Sequence, residues 1–176
     1  KMLSIIISSY QENFYNDLRE NISESIGIPF ELIKVQNHGE MGICEAYNKG
    51  AQKAQYDFLL FCHEDILFRT QDWGKNLISH LQKENTGVVG VAGGNYVPFA
   101  PSSWATNPEN NFLNIIQNDK HKNTPQHINS LLDNKTRVYC IDGVFLAVTK
   151  KVYQDFKFNE KVKGFHSYDL DFSLRV

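Results

Sequence analysis

Cysteine is scarce in this chain: Cys44, Cys62 and Cys140 are the only three, far apart and in apolar settings. An odd number so spaced excludes a disulfide framework and points to reduced core thiols of a cytosolic protein. Neither Cys-x-x-Cys nor His-Glu-x-x-His occurs, which argues against structural zinc. No apolar run approaches the roughly 18 residues that a membrane span needs. The opening KMLSIIISSY has one lysine and a short apolar run but no small-residue cleavage site, so it reads as a first strand, not a signal peptide. Excess charge is also missing. A net charge of -2 and a pI near 6.3 give no electrostatic footprint for nucleic acid. Linker composition and internal repeats are absent too. What remains is 176 residues, 41% hydrophobic and 22% charged, the profile of one globular domain spanning 1–176.

The most informative stretch is DFLLFCHEDILF, residues 57–68. Its apolar run Phe58–Cys62 fits a strand buried on both faces of a parallel sheet, and it stops abruptly on His63, Glu64 and Asp65. The carboxyl end of such a strand is where open α/β sheets bind ligands. If side chains still alternate there, His63 and Asp65 face one side and Glu64 the other. An imidazole and a carboxylate on one side could hold a divalent cation, and the cation could hold phosphates. Solvated charges at a strand end are the plainer reading of the tripeptide alone.

The rest of the chain supplies a context. Met2–Ser8 is β-branched and reads as a strand. The turn Ser9-Tyr10-Gln11-Glu12 follows, and then a helix from about Asn13 to Ser25 whose Phe14, Leu18 and Ile22 recur at helical spacing. Phe30–Val35 is a second strand with the exit loop Gln36–Gly39. Ile43, Ala46, Tyr47, Gly50, Ala51 and Ala54 form one helical stripe, its small residues allowing close approach to a sheet. After the 57–62 strand, Thr70 is a plausible N-cap for a helix carrying Trp73, Leu77, Ile78 and Leu81. Gly87–Ala92 is expected to be another short buried strand. This β-α-β-α-β-α-β order predicts an open, mostly parallel sheet with helices on both faces.

Residues 98–135, rich in Asn and Pro, show little periodicity and read as a long irregular functional segment. Arg137–Val148 returns to strand, interrupted at Asp142-Gly143. Thr149 is expected to cap a short helix with Val152, Tyr153 and Phe156. The final FHSYDLDFSLRV starts a helix in which Asp171 and Arg175, four apart, can pair. An α/β chain that stops inside a helix is expected to be truncated at its C-terminus.

Four segments in order resemble the family 2 nucleotide-sugar glycosyltransferases of the GT-A fold. SIIISSYQE (4–12) is similar to that family's first strand and its Pro-Thr-Tyr-Asn-Glu turn, with Ser8 at the proline. GICEAYNKGAQKAQYDFLLF (42–61) resembles its Gly-x-x-x-Ala-x-Asn-x-Gly helix and following strand. His63-Glu64-Asp65 falls where the family has an Asp-x-Asp metal motif. FHSYDLDFSLRV resembles its Glu-Asp-x-Asp-x-x-x-Arg segment, with Tyr168 replacing glutamate and Asp169 kept.

The resemblance implies roles. Ser9, Tyr10 and Glu12 would hold the nucleoside, although an ordinary strand-to-helix turn also explains them. Asn37 stands where the family often has a base-reading aspartate, which leaves the nucleotide open. Gly42 and Asn48 match the helix behind the diphosphate; Asn48 is equally a polar helix residue. Asp65, with His63 for the motif's first acid, would bind a metal. Imidazole favours manganese over magnesium there, unless metal affinity is simply weakened. Glu64 would hydrogen-bond the donor sugar, and His166 is a further possible ligand or a solvated loop residue. Asp169 is the general base expected for inverting transfer, and also a good helix cap. Asp142 and Gly143 fit the acceptor side, and Trp104 either stacks on a sugar or anchors its loop.

The expected protein is a cytoplasmic, metal-assisted, inverting glycosyltransferase, placed at the inner membrane surface only through its acceptor. Its partners would be a nucleotide-diphosphate sugar and a glycan or lipid-linked acceptor, with no nucleic acid and no transmembrane segment. A catalytically silent sugar-nucleotide or glycan-binding module is the alternative, motivated by His63 and Tyr168. A nucleotidyltransferase ranks behind both, since SSYQE has neither the glycine nor the lysine of a phosphate loop.

Overall fold

The computed structural model describes residues 1–99, 103–118, 124–131 and 135–176. Three strands, β1 (Leu3–Ser9), β2 (Phe30–Gln36) and β3 (Phe58–Cys62), lie parallel in the order β2-β1-β3, with β1 and β3 buried and β2 at the partly exposed edge. Helices α1 (Glu12–Ser25) and α2 (Ile43–Lys53) make the crossovers, and α3 (Trp73–Leu81) follows β3. Leu3, Ile5 and Ile7 face α1 and α3, whereas Ile6 faces α2, so the strand alternation feeds two cores on opposite sides of one sheet. The expected stripe on α2 is buried throughout. On α1 the stripe is turned by one residue: Tyr15, not Phe14, is buried with Leu18 and Ile22.

The fourth expected strand divides. Val89–Gly90 (β4) joins the parallel sheet, but Ala92–Gly94 (β5) leaves it for a second, antiparallel sheet. Thr70 does not cap α3. Asp72, left-handed at φ 59°, occupies the N-cap position, and its amide donates to Ser25 O at 2.8 Å, tying α3 to the end of α1. The 98–135 segment is more regular than expected. A 3-10 turn at Pro108–Asn110 leads into β6 (Asn111–Gln117), which pairs antiparallel with β5 and with β7 (Gln126–Asn129). Asn-rich strands with weak alternation hide from a periodicity reading. The parts of that segment at 100–102, 119–123 and 132–134 lie outside the described residues.

The decisive departure from pure parallel alternation is β9 (Phe145–Thr149). It inserts antiparallel between β3 and β4, giving the order β2-β1-β3-β9-β4, while β8 (Cys140–Ile141) pairs with β5. Because β9 runs backwards, its amino end abuts the carboxyl end of β3. The Asp142–Val144 turn therefore arrives at the ligand edge of the sheet. Thr149 caps α4 (Lys150–Phe156), accepting from Val152 N at 3.2 Å. The last helix is α5 (Tyr168–Arg175), where Arg175 donates to Asp171 at 2.7 Å. Among the described residues no helix is long and apolar enough to cross a membrane.

Candidate functional site

At the carboxyl end of β3 the side chains alternate as their spacing dictates. Glu64 turns inward and is 5% exposed. Its carboxylate accepts from the amides of Tyr10 at 3.3 Å and Gln11 at 3.2 Å, so it ties down the β1–α1 turn. His63 and Asp65 turn outward, Nδ1 and Oδ1 standing 4.0 Å apart. His63 N donates to Val144 O at 3.2 Å, which fastens the β9 turn against it.

That turn builds one wall of a cleft of about 280 Å³. His63, Trp104, Asp142, Gly143, His166 and Asp169, six of the residues singled out in the sequence, line it together. Asp142 Oδ1 accepts from Val144 N at 2.7 Å, an Asx turn that sharpens the bend. Asp169, in the first turn of α5, accepts from Gly143 N at 3.0 Å through Oδ2 and from Leu170 N at 2.9 Å through Oδ1. An ionised carboxylate offers about four acceptor sites, so capacity remains for a substrate hydroxyl. His166 lies in the exposed loop before α5.

Tyr168 is the residue that the sequence left without a role. It lines the same cleft, is buried, and its hydroxyl meets His63 Nε2 at 3.1 Å. The ring sits over Gly143 so closely that a Cβ there would fall 2.0 Å from the hydroxyl, and only glycine fits beneath it. Burial first, then the carboxylates of Asp169 and Asp142, push its phenol far above the ordinary range. A signal was present: His63 and Tyr168 are two of the positions, with Ser8 and Asn37, at which the sequence departs from the pattern it resembles, and these two touch. Phe165, half-exposed on the cleft wall beside His166, gave no sequence signal.

The residues expected to hold the nucleoside lie on the same edge, at the ends of β1 and β2 and the start of α2. Ser9 is buried, and its hydroxyl has no hydrogen-bond partner among the described residues. Tyr10 is exposed, and Glu12 pairs with Lys34. Asn37 is buried and fully engaged: its amide donates to Ser8 Oγ and Met41 O, and its carbonyl accepts from Gly39 N and Met41 N. It shapes the loop in which it sits. Gly42 caps α2 against the 157–167 loop, where Ile43 N donates to Gly164 O at 2.9 Å.

Asn48 is placed elsewhere, inside the contact of α2 with α4. It donates to Phe158 O and Glu160 and accepts from Tyr153 OH and Phe158 N. All four of its hydrogen-bonding positions are occupied. Its surroundings fix the 158–160 loop.

Two ligands each about 2.1 Å from one ion stand about 3.0–3.4 Å apart in right-angled to tetrahedral geometry, so His63 and Asp65, 4.0 Å apart, fit a shared cation after a small closure of two exposed side chains. Among the described residues no group of three His, Cys, Asp or Glu converges as a metal cage, and His166 does not complete one. A cation here would need oxygen ligands from a diphosphate and water.

The fold resembles that of S. aureus TarS. Its crystal structure with UDP matches at a TM-score of 0.61 and 14% identity, covering 98% of this chain and 54% of that one. The complex with UDP-GlcNAc gives 0.61 and 14%, covering 98% and 52%. This chain thus spans about half the length of those TarS chains. No curated protein matches the sequence. The profile of the Glycosyltransferase like family runs through residues 4–176. Nearly every described residue of the sheet, the cleft and the helices behind them falls within that span, and the chain belongs to this family, with a domain of the family 2-like kind.

Proposed function

We propose that the domain transfers a sugar from a nucleotide-diphosphate donor to an acceptor hydroxyl, with inversion. One observation carries this reading: two carboxylates, two histidines and three aromatic side chains from separate parts of the chain converge in one cleft at the ligand edge of the sheet. In the proposed reaction Asp169 takes the proton of the acceptor hydroxyl as its oxygen attacks the anomeric carbon. The bond from that carbon to the diphosphate breaks on the opposite face, and its electron pair leaves with the diphosphate. The backbone amides of Gly143 and Leu170 hold the carboxylate in place for this step. Trp104 offers an apolar face for a sugar ring. Ser9 and Tyr10, with the turn that Glu64 ties down, form the nucleoside side. A divalent ion held by His63 and Asp65, manganese in preference to magnesium, would neutralise the charge of the departing diphosphate. The proposed acceptor is a glycan or a lipid-linked acceptor, and the proposed site of action is the cytoplasm, at the inner membrane surface through that acceptor.

Two substitutions separate the roles. Asp169→Asn is expected to keep donor binding within about threefold and to lower turnover by about 10²–10⁴. Asp65→Ala is expected to remove the metal dependence of donor binding. Unchanged turnover in the first would remove Asp169 as base; unchanged metal dependence in the second would remove the cation site. The silent-module reading is favoured by a different observation, that both oxygens of Asp169 already bond to the backbone. Donor binding with neither transfer nor donor hydrolysis by the wild-type domain would establish it instead.

A further inference from the structure

The chain has a histidine where its family's metal motif has an acid, and a tyrosine where the helix segment has a glutamate. These two residues are 105 positions apart and their side chains meet at 3.1 Å. The contact can run two ways. If the phenol donates to Nε2, the imidazole proton sits on Nδ1 and faces Asp65. In that arrangement Nδ1 carries a hydrogen, has no lone pair to offer a cation, and only a hydrogen bond to the carboxylate 4.0 Å away would be open to it. If Nε2–H donates to the phenol oxygen, the Nδ1 lone pair is bare and lies beside Asp65. Metal-binding histidines nearly always donate their second ring N–H in this way, which fixes the tautomer and the ring orientation.

We propose that Tyr168 is a positioning residue for a divalent-cation site made by His63 and Asp65: it accepts from His63 Nε2–H and so presents Nδ1 to the ion. The inference rests on the metal-assisted donor site proposed above. Tyr168 is itself tightly held. Its ring lies edge-on to Tyr47 at 5.8 Å, is tilted against Phe158 at 6.2 Å, and rests on the bare backbone of Gly143. A flexible acceptor would leave His63, which is 44% exposed in its side chain, free to rotate. The glycine, the tyrosine and the histidine form one stack that ends at the ligand edge of the sheet.

Mn²⁺ binding to the full chain, read by the loss of the free-ion electron paramagnetic resonance signal with and without saturating UDP, tests this directly. Tyr168→Phe keeps the ring on Gly143 and removes only the oxygen. It is expected to weaken Mn²⁺ binding about 10–100-fold, the usual cost of losing such a partner. In a His63→Asp background, where there is no ring to orient, Tyr168→Phe is expected to change binding less than twofold. Equal binding by wild type and Tyr168→Phe would overturn the inference and leave the metal site standing. Equal losses in both backgrounds would overturn it too, by showing that the hydroxyl acts on the fold. No Mn²⁺ binding by the wild type under either condition would remove the metal site itself, and this inference with it. Nitrogen-15 shifts of His63 in the unsubstituted, metal-free protein give a readout that needs no variant: Nε2–H is expected, and an Nδ1–H tautomer would contradict the assignment.

Discussion

Asn48 and Glu64 show how a single polar side chain can act as a fastener between distant segments. Asn48 satisfies a carbonyl and an amide of Phe158 and the hydroxyl of Tyr153, all buried together. Truncating it strands these groups, and a buried unpaired group costs about 1–3 kcal/mol. Asn48→Ala is therefore expected to destabilise the domain by about 3 kcal/mol in urea unfolding, with donor affinity changed little. Glu64 is expected to behave otherwise. Its loss frees the amides of Tyr10 and Gln11 in the β1–α1 turn, proposed above as the nucleoside side. Glu64→Ala should cost about 2 kcal/mol of stability, since hydrogen bonds to a charged group contribute about 1.5–3 kcal/mol. It should also weaken donor binding, which calorimetry on the folded variant would register. The roles of these residues were not legible in the sequence, because a motif position does not say whether a side chain points at a ligand or into the protein. The outward faces of His63 and Asp65 were legible, because strand alternation alone fixes them.

Among the elements, α2 packs against β1 and β2 with no room for a side chain at Gly50. A Cβ at that position would fall 2.3 Å from Ile6 Cγ2 and 3.1 Å from Val35 Cγ2. Gly50→Ala gains helix propensity of about 1 kcal/mol. Overpacking of a filled core costs about 1–3 kcal/mol and wins. The variant is expected to melt about 2–5 °C lower, and a higher melting temperature would show that α2 can lift from β1. The small residues of this stripe were readable from their spacing, as were β1 to β3 and the face of α3. What sequence spacing could not supply was the order of strands. Nothing in FLAVT says that it runs antiparallel beside β3, yet that insertion carries Asp142 and Gly143 to His63. Likewise GVVGVA reads as one strand, and only the bend at Val91 sends its two ends into different sheets.

For the molecule as a whole, the three cysteines and the buried tyrosines set its chemical behaviour. Burial, aided by Asp171 and Glu160, raises the Cys44 thiol to about 11, and burial alone raises Cys62 further. Cys140 is raised as well, chiefly by burial. Thiolates are the reactive form, so the native protein is expected to resist a disulfide reagent at pH 8 and to release all three thiols only in denaturant. Rapid reaction of a native thiol would contradict this. Groups raised in the fold stabilise it fully below their unfolded values and lose that contribution as pH rises through the folded ones. Cys44 goes from 9.0 to about 11, and Tyr153 from 10.0 to about 12, through burial and then Glu160. Melting temperature is thus expected to hold up to about pH 9 and to fall steadily from pH 9 to 12.

The central claim is that the carboxyl edge of this sheet is a nucleotide-sugar site with metal-assisted binding. Calorimetric titration of the domain with UDP, GDP and their common sugar conjugates, in Mn²⁺ and then in chelator, tests it most directly. The account predicts that one nucleotide binds in Mn²⁺, that chelator weakens it at least tenfold, and that Asp65→Ala abolishes the difference. Binding of no nucleotide under any condition, or equal binding in Mn²⁺ and chelator, would contradict it.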